Sequence, residues 1–480
     1  MEKKCLINTL LCATAIGTIC LNSSTMAMAA VDFQEVASFF TQNKVTDFYG
    51  DIIQVEDGDK YGFIDIYGKS VSNIQWSAGE RNSPHINESF IIINKDDLYG
   101  IMNINGTIVV KPQYDSLWYN QTNLYIVLKN EKYGCIDHTG KIVVPIEYDK
   151  APQIYNNKAI VERNGKYGSI DLNGETLIEN EWDCLSSYTK GLYLGIHKNK
   201  SFVGLVNEKG DIITTFHTVY KDKTGKEKDV KISDAYLMSG GLTAFETIDA
   251  GSGVIDSFGN ILFYKENSYI LDFINGIGAV NEYNGNCILI NANGEVLKTL
   301  EGYVDKITEN DRIFIRKHDK LAIMDYSGNL ITNFNFYDIR QYDSNSAVAK
   351  GLDGFWKMID LNGNTIREGN WFFMTPCKGG LVIAEGLDGY VLLDKQGNIV
   401  QNKTWEYLGN VPNGSNEFIY YHENGKFGLL DGAGNIILNA SWDLILQNGE
   451  RDSFLVKRNN QYIVLNYNYN NVQNTSIIKR

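Results

Sequence analysis

The chain of 480 residues carries 44 Lys and Arg against 58 Asp and Glu, a formal charge of −14. That acidity works against nucleic acid or an anionic membrane surface as a partner. Aromatics at 12%, with 29 Tyr, 45 Gly and only 6 Pro, suit a large β protein rather than a helical or disordered chain. Residues 1–29 read as a secretory signal peptide: Lys3 and Lys4 precede an apolar run from Cys5 to Leu21, and Ala27, Ala29 and Ala30 form a small-residue exit. The run is broken by Asn8, Thr9, Thr14 and Gly17, which argues against a membrane anchor. The residues before Cys12 and Cys20 lack the small neighbour that a lipidation site needs. The expected mature chain therefore begins at Ala30 or Val31, is secreted or held at the cell surface, and has no integral membrane segment. It carries 42 basic and 57 acidic residues, a formal charge of −15.

From residue 30 to 480 the sequence is an array of about twelve repeats. The motif aromatic-Gly-x-apolar-Asp/Asn-x-x-Gly is clearest at Tyr167-Gly168-Ser169-Ile170-Asp171-Leu172-Asn173-Gly174. Its closing glycine recurs at Gly68, Gly106, Gly140, Gly174, Gly210, Gly259, Gly294, Gly328, Gly363, Gly397 and Gly434. The intervals are 34 to 38 residues except for the 49 between Gly210 and Gly259, so a supersecondary unit is stacked many times. A large aromatic stands eight residues past that glycine at Trp76, Tyr114, Tyr148, Trp182, Trp371, Trp405 and Trp442, and nine past it at Tyr303 and Tyr337. An acid often follows, as at Asp115, Asp149, Asp183, Asp338, Glu406 and Asp443. The segment Tyr462-Ile463-Val464-Leu465-Asn466 reads as a worn twelfth copy, expected at an end with a single neighbour. The long interval marks an insertion near residues 211–240, whose polar run from Lys221 to Lys231 reads as a solvated loop.

The copies Lys132-Tyr133-Gly134-Cys135-Ile136-Asp137 and Lys166-Tyr167-Gly168-Ser169-Ile170-Asp171 resemble the WG-repeat, or KWG-repeat, family of bacterial proteins. The resemblance spans roughly Asp57 to Asn470. It departs in the slot that names the family, where Tyr61, Tyr99, Tyr133, Tyr167 and Phe427 replace tryptophan, and Ile288, Ala322, Lys357 and Val391 fill the first glycine slot of middle copies. The resemblance implies a repeat fold and no established chemistry, so no catalytic residue is carried over.

The expected fold class is all-β. Each unit reads as three short strands, in the fourth copy Lys158–Arg163, Tyr167–Asp171 and Glu175–Ile178, with a further short strand around the aromatic-acid pair. Asp171 followed by Gly174 is turn chemistry: the acid accepts backbone hydrogen bonds and the glycine takes positive φ. On that reading Gly174→Val costs about 1–3 kcal/mol. Strands apolar on both faces, such as Phe90–Ile93, Leu124–Leu128 and Phe418–Tyr421, belong in sheets sandwiched between sheets. That points to a propeller-like stack in one or two rings with the aromatic wedged between blades, an open solenoid being the alternative. Twelve units exceed the usual number of blades, so two rings or an open superhelix are expected before one ring.

Chemical signals are sparse. There is no nucleophile elbow, His-Glu-x-x-His motif or phosphate loop. His85, His138, His197, His217, His318 and His422 occupy unrelated phases and read as surface or turn residues, and Cys135, Cys184, Cys287 and Cys377 read as buried thiols more than disulfide partners. No catalytic residue, metal site or cofactor is expected, and no particular binding residue is singled out. The expected role is non-enzymatic binding of a macromolecular partner, a protein, through repeat loops. A glycan-binding module and a glycan-active hydrolase are the alternatives.

Overall fold

The computed structural model describes residues 31–77, 89–120, 123–189, 191–197, 202–222, 224–238, 241–377, 380–410, 418–448 and 453–469; the signal region lies outside them. The described residues are almost entirely β, apart from one short 3₁₀ turn at Val400–Asn402. The strands group into twelve antiparallel sheets in chain order. Sheet 1 is 44–77, sheet 2 is 90–114, sheet 3 is 116–148, sheet 4 is 153–182, sheet 5 is 184–215 and sheet 6 is 232–265. Sheets 7 to 12 follow at 268–301, 303–330, 336–371, 373–405, 407–442 and 444–469. Sheets 8 and 9 are joined edge to edge by the Leu321–Phe336 pair, because the last strand of sheet 8 shrinks to a Met324–Leu330 bridge.

Sheet 4 shows how the sequence builds a blade. A short strand Gln153–Tyr155 leads into Lys158–Arg163, Lys166–Asp171 and Thr176–Trp182, paired in that order. The middle strands are buried on both faces: Ala159 and Val161 point toward sheet 3, and Ile160 between them points toward sheet 5. Period-two alternation thus feeds two interfaces at once. At the turn, Asp171 Oδ1 accepts from the backbone N–H groups of Asn173 and Glu175, both at 2.8 Å, and Gly174 holds φ +89°.

Fifteen residues separate the two aromatic anchors of a repeat, and the fold makes them cross-strand partners. Tyr61 pairs with Trp76, Tyr99 with Tyr114, Tyr133 with Tyr148, Tyr167 with Trp182, Trp356 with Trp371 and Phe427 with Trp442. Most of the second anchors are buried wedges between neighbouring sheets, as expected. One assignment is corrected: the wedge of the eighth repeat is Phe336, eight residues past Gly328 and buried against Leu321, while Tyr337 is exposed. Tyr303 is only half-buried, because Gly302 stands in the wedge slot of the seventh repeat.

The closure of the array departs from expectation. Twelve sheets in a line would have eleven shared interfaces, yet twelve apolar clusters join neighbours, and the twelfth joins sheet 12 to sheet 1. The strand Val31–Phe40 makes this closure by pairing antiparallel with Gln461–Tyr469 as the fourth strand of sheet 12. Phe39 takes the place of the missing second aromatic, stacked on Tyr462 at 5.3 Å with the rings 6° from parallel. Asn448 clamps the seam, accepting from the N–H of Gly50 at 2.9 Å and donating to its carbonyl at 2.8 Å. The chain is therefore one closed ring, not two tandem rings or an open superhelix. The twelfth copy is not a worn end cap with one neighbour; it is complete once the N-terminal strand is added.

Two smaller expectations are also revised. His197 is buried edge-on against Trp182 at 5.7 Å rather than at the surface. The insertion is not an open loop: residues 216–231 carry a hairpin of Val219–Lys221 and Glu227–Asp229, with Phe216 and Val230 buried in the sheet 5–sheet 6 interface. Its turn repeats the Asp-x-x-Gly design, Asp222 Oδ1 accepting from Thr224 and Lys226 N–H groups at 2.8 and 3.0 Å. Cys135, Cys184, Cys287 and Cys377 form no disulfide. Burial pushes the thiols of Cys135, Cys287 and Cys377 up to about 12, which leaves them inert at neutral pH.

Candidate functional site

The strand order places two kinds of loop on opposite sides of the ring. The Asp-x-x-Gly turns lie on one side, and most pack their glycine on the preceding sheet: a Cβ on Gly106 would stand 2.1 Å from the Val71 carbonyl oxygen, and one on Gly68 would stand 2.7 Å from Phe39 Cβ. This side is committed to holding neighbours together. The other side carries the hairpins between the second and third strands, such as Asn164–Gly165, together with the crossings from each sheet to the next. Sequence reasoning singles out no binding residue; the hairpin side carries an ion-pair ladder, an exposed apolar surface and a groove.

In sheets 3 to 5 the hairpin side is an ion-pair ladder. The Lys that opens the repeat motif reaches the acid seventeen residues on: Lys132 to Asp149, Lys166 to Asp183 at 2.7 Å, and, beyond the middle of the ring, Lys426 to Asp443. Asp149 also accepts from the Asn164 N–H of the next hairpin at 2.6 Å, so this acid links two sheets. The Lys132 hydrogen bond, followed by that of Asn164, holds the Asp149 carboxyl below the usual carboxylate range, and Lys426 does the same for Asp443. A depressed carboxyl pKa contributes stability that is complete above the unfolded value, near 4, and is lost as pH falls through the folded value. Urea unfolding midpoints are accordingly expected to be flat from about pH 7 to 5 and to fall below about pH 4. Asp149→Asn should flatten that fall, and a midpoint unchanged on acidification would contradict the ladder.

Sheets 9 and 10 depart from this pattern, while sheet 11 keeps Glu406 and the Lys426–Asp443 pair. The slot that holds the acid at Asp115, Asp149, Asp183, Glu406 and Asp443 is Tyr337 at the start of sheet 9 and Phe372 at the start of sheet 10. Phe372 is 47% exposed and lies 6.1 Å from Phe355, and Leu387 on the next hairpin is 81% exposed. Phe373, Leu352 and Tyr407 extend the exposed apolar surface, Tyr407 meeting Tyr390 edge-on at 5.4 Å. Arg340 lies over the Trp356 ring at 4.5 Å while pairing with Asp338 at 2.8 Å, placing one charged pair within the patch.

In sheets 5 to 7 the insertion hairpin overhangs the same side and forms a groove of about 610 Å³. It is lined by Tyr220, Asp222, Lys226 and Lys228 from the hairpin, Tyr264 to Asn267 from sheet 6, and Glu282 and Asn284 from sheet 7. Lys228 crosses the groove to Glu266 and lies 5.1 Å from the Tyr264 ring centre; Lys265 pairs with the buried Glu282 at 2.6 Å. Among the described residues no group of three His, Cys, Asp or Glu side chains is placed to hold a metal ion, and no helix is long and apolar enough to cross a membrane.

A ring of small antiparallel sheets, each closed against the next, makes this a β-repeat protein of the propeller type. The model of the WG containing repeat matches residues 99–133 and 133–167, two adjacent copies, so the likeness to the WG-repeat family holds over that segment. No curated protein matches the chain. Among solved structures it is similar to the computationally designed Ika8 protein at 13% identity, over 62% of this chain and 98% of that one, with a TM-score of 0.29. It is similar to BamB from Moraxella catarrhalis at 14% identity, over 64% and 95%, with a TM-score of 0.27. A eukaryotic initiation factor matches at 10% identity over 76% and 98%, with a TM-score of 0.33.

Proposed function

We propose that the chain is an exported, non-enzymatic interaction protein whose ring is a rigid frame for binding a protein partner on its hairpin side. The observation that carries this reading is the exposed apolar surface at the start of sheet 10, where Phe372 stands in the slot that holds an ion-paired acid at Asp149 and Asp183, with Phe373 beside it and Leu387 exposed on the next hairpin. Contiguous apolar exposure on an otherwise acidic protein marks a surface kept for a partner, since solvation alone disfavours it. The frame suits such binding, because hairpins held by buried wedges present that surface without a large ordering cost on association. Export is supported by the signal-like residues 1–29.

Capture from the extracellular or cell-surface fraction with residues 31–480 as bait tests the reading. A protein partner is expected to be retained by the parent chain and lost with Phe372→Asp and Leu387→Asp, each of which should leave the melting temperature within a few degrees because neither side chain is in the core. Retention of the same partner by both variants would move the interface elsewhere, and turnover of a polysaccharide by the purified chain would overturn the non-enzymatic reading.

A further inference from the structure

Two consecutive hairpins of the apolar surface share one sequence. The tip of sheet 9 reads Gly351-Leu352-Asp353-Gly354 and that of sheet 10 reads Gly386-Leu387-Asp388-Gly389, in the same phase of the repeat. Corresponding tips elsewhere are polar, as at Asn130-Glu131, Asn164-Gly165, Asn424-Gly425 and Asn459-Asn460, the usual chemistry of a tight hairpin. Both leucines are exposed, Leu352 at 44% and Leu387 at 81%. Between the tips, both members of the ladder ion pair are replaced together. Phe355 stands where Lys132, Lys166 and Lys426 open the motif, Phe372 stands in the acid slot at the same spacing of 17, and the two rings meet at 6.1 Å. Phe372 N–H donates to the Glu385 carbonyl at 2.8 Å, which holds it against the stem of the second hairpin. Leu352, Phe355, Phe372 and Leu387 therefore form one apolar strip that crosses from sheet 9 to sheet 10 along the ring.

The strip has a spacing and a charge. Packed sheets stand about 10 Å apart, so the two leucine tips repeat at about that distance. Seven residues of an α-helix rise about 10.5 Å and return to the same face, whereas an extended strand returns to one face every ~6.8 Å. An added strand has no free edge to join, because both strands of each hairpin are already paired within their own sheet. The outermost charges are carboxylates. Asp353 and Asp388 are exposed beside the leucines, and among the described residues neither enters an ion pair, while Lys350, Lys357 and Glu385 are half-buried in the stems. Asp338 and Glu423, to either side, are already matched by Arg340 and Lys403. Basic side chains next to apolar ones complement this edge and set the register of whatever lies on it.

We infer that the strip from Leu352 to Leu387 seats an amphipathic α-helix of the protein partner, with apolar residues seven apart on the two leucine tips, another between them on the Phe355–Phe372 pair, and lysine or arginine facing Asp353 and Asp388. The inference rests on the protein-binding reading and names the element by which the partner is held. Fluorescence anisotropy of residues 31–480 tests it with three labelled peptides of about 21 residues, enough for three heptads. The first has a leucine seam flanked by lysines, the second has glutamate for lysine, and the third is the first with two central residues replaced by proline. The first is expected to bind and to add a helical signal to the far-ultraviolet circular dichroism of an almost entirely β protein; the other two should bind roughly tenfold more weakly or worse. The double substitution Phe355→Lys with Phe372→Asp restores the ion pair of other repeats, so it should leave the melting temperature within a few degrees and weaken the first peptide roughly tenfold. Leu387→Met should retain binding, and Tyr67→Asp, exposed on the opposite side of the ring, should not alter it. The inference is overturned if the leucine–lysine peptide does not bind, if the proline peptide binds as well, or if the folded double variant binds as the parent does. Failure of the peptides beside a captured partner that Phe372→Asp releases would overturn the helix and leave the protein-binding reading standing; failure of the peptides with no such partner would remove both.

Discussion

A chain lacking Val31–Phe40 is expected to lose its cooperative unfolding transition. The deletion removes the outermost strand of sheet 12 and with it Ala37 and Phe39, which are buried in the seam together with Val45, Phe48, Val55, Leu455 and Val464. It exposes the edge of Gln461–Tyr469 as an unpaired template and turns a ring into an arc with two apolar ends. The point variant Phe39→Ala isolates the packing part of this effect. Phe39 is 6% exposed and stacks on Tyr462, and truncation of a buried phenylalanine costs about 3–5 kcal/mol. Equilibrium urea unfolding of both chains, with the parent beside them, measures the result. A deletion variant that unfolds at the parent midpoint would show that the N-terminal strand is an accessory rather than the closing element.

The second large effect is expected at the turn glycines, and it should differ sharply from repeat to repeat. Gly174 and Gly106 hold nearly the same conformation, φ +89° and +84°. Around Gly174 an added Cβ would meet nothing within 4 Å, so Gly174→Val costs the backbone strain alone, about 1–3 kcal/mol. At Gly106 the same atom would stand 2.1 Å from the Val71 carbonyl oxygen of the neighbouring sheet. That oxygen belongs to a paired strand and cannot retreat without opening the sheet 1–sheet 2 contact, so Gly106→Val adds an overpacking cost of about 1–3 kcal/mol or more. Thermal unfolding of the two variants side by side should place Gly106→Val well below Gly174→Val. Equal destabilisation would mean that the turns do not bear on the preceding sheet.

Much of the blade was legible from local chemistry. The expected strand Lys158–Arg163 coincides with the observed one, and the expected Tyr167–Asp171 begins one residue early, at Lys166. The strand expected at Glu175–Ile178 runs on from Thr176 to Trp182, because the pairing of Tyr167 with Trp182 carries it four residues further. Turn positions were legible because Asp171 and Gly174 each have a mechanism acting within five residues of chain. Ring closure was not legible in the same way. It pairs Phe39 with Tyr462 across the whole length of the chain, and Val31–Phe40 carries no glycine turn or repeat motif to announce that it completes another repeat.

The hairpin side was harder still to read. Phe372 and Tyr337 occupy slots that the repeat reserves for an acid or a wedge, and only the register of the fold shows which of two adjacent aromatics, Phe336 or Tyr337, turns inward. The insertion was visible as a long interval, but its role as one wall of a groove depends on Tyr264, Glu282 and Asn284, which lie 35 or more residues beyond its turn at Asp222. Sequence spacing locates elements along the chain. Which of them share a surface is set by the closure of the ring.

That closure is tested most directly by class-averaged electron microscopy of residues 31–480 viewed down the ring axis. A single closed ring with twelve spokes is expected, one for each apolar interface from sheet 1 through the seam at sheet 12. Two smaller rings side by side, or an open arc with separated ends, would contradict it.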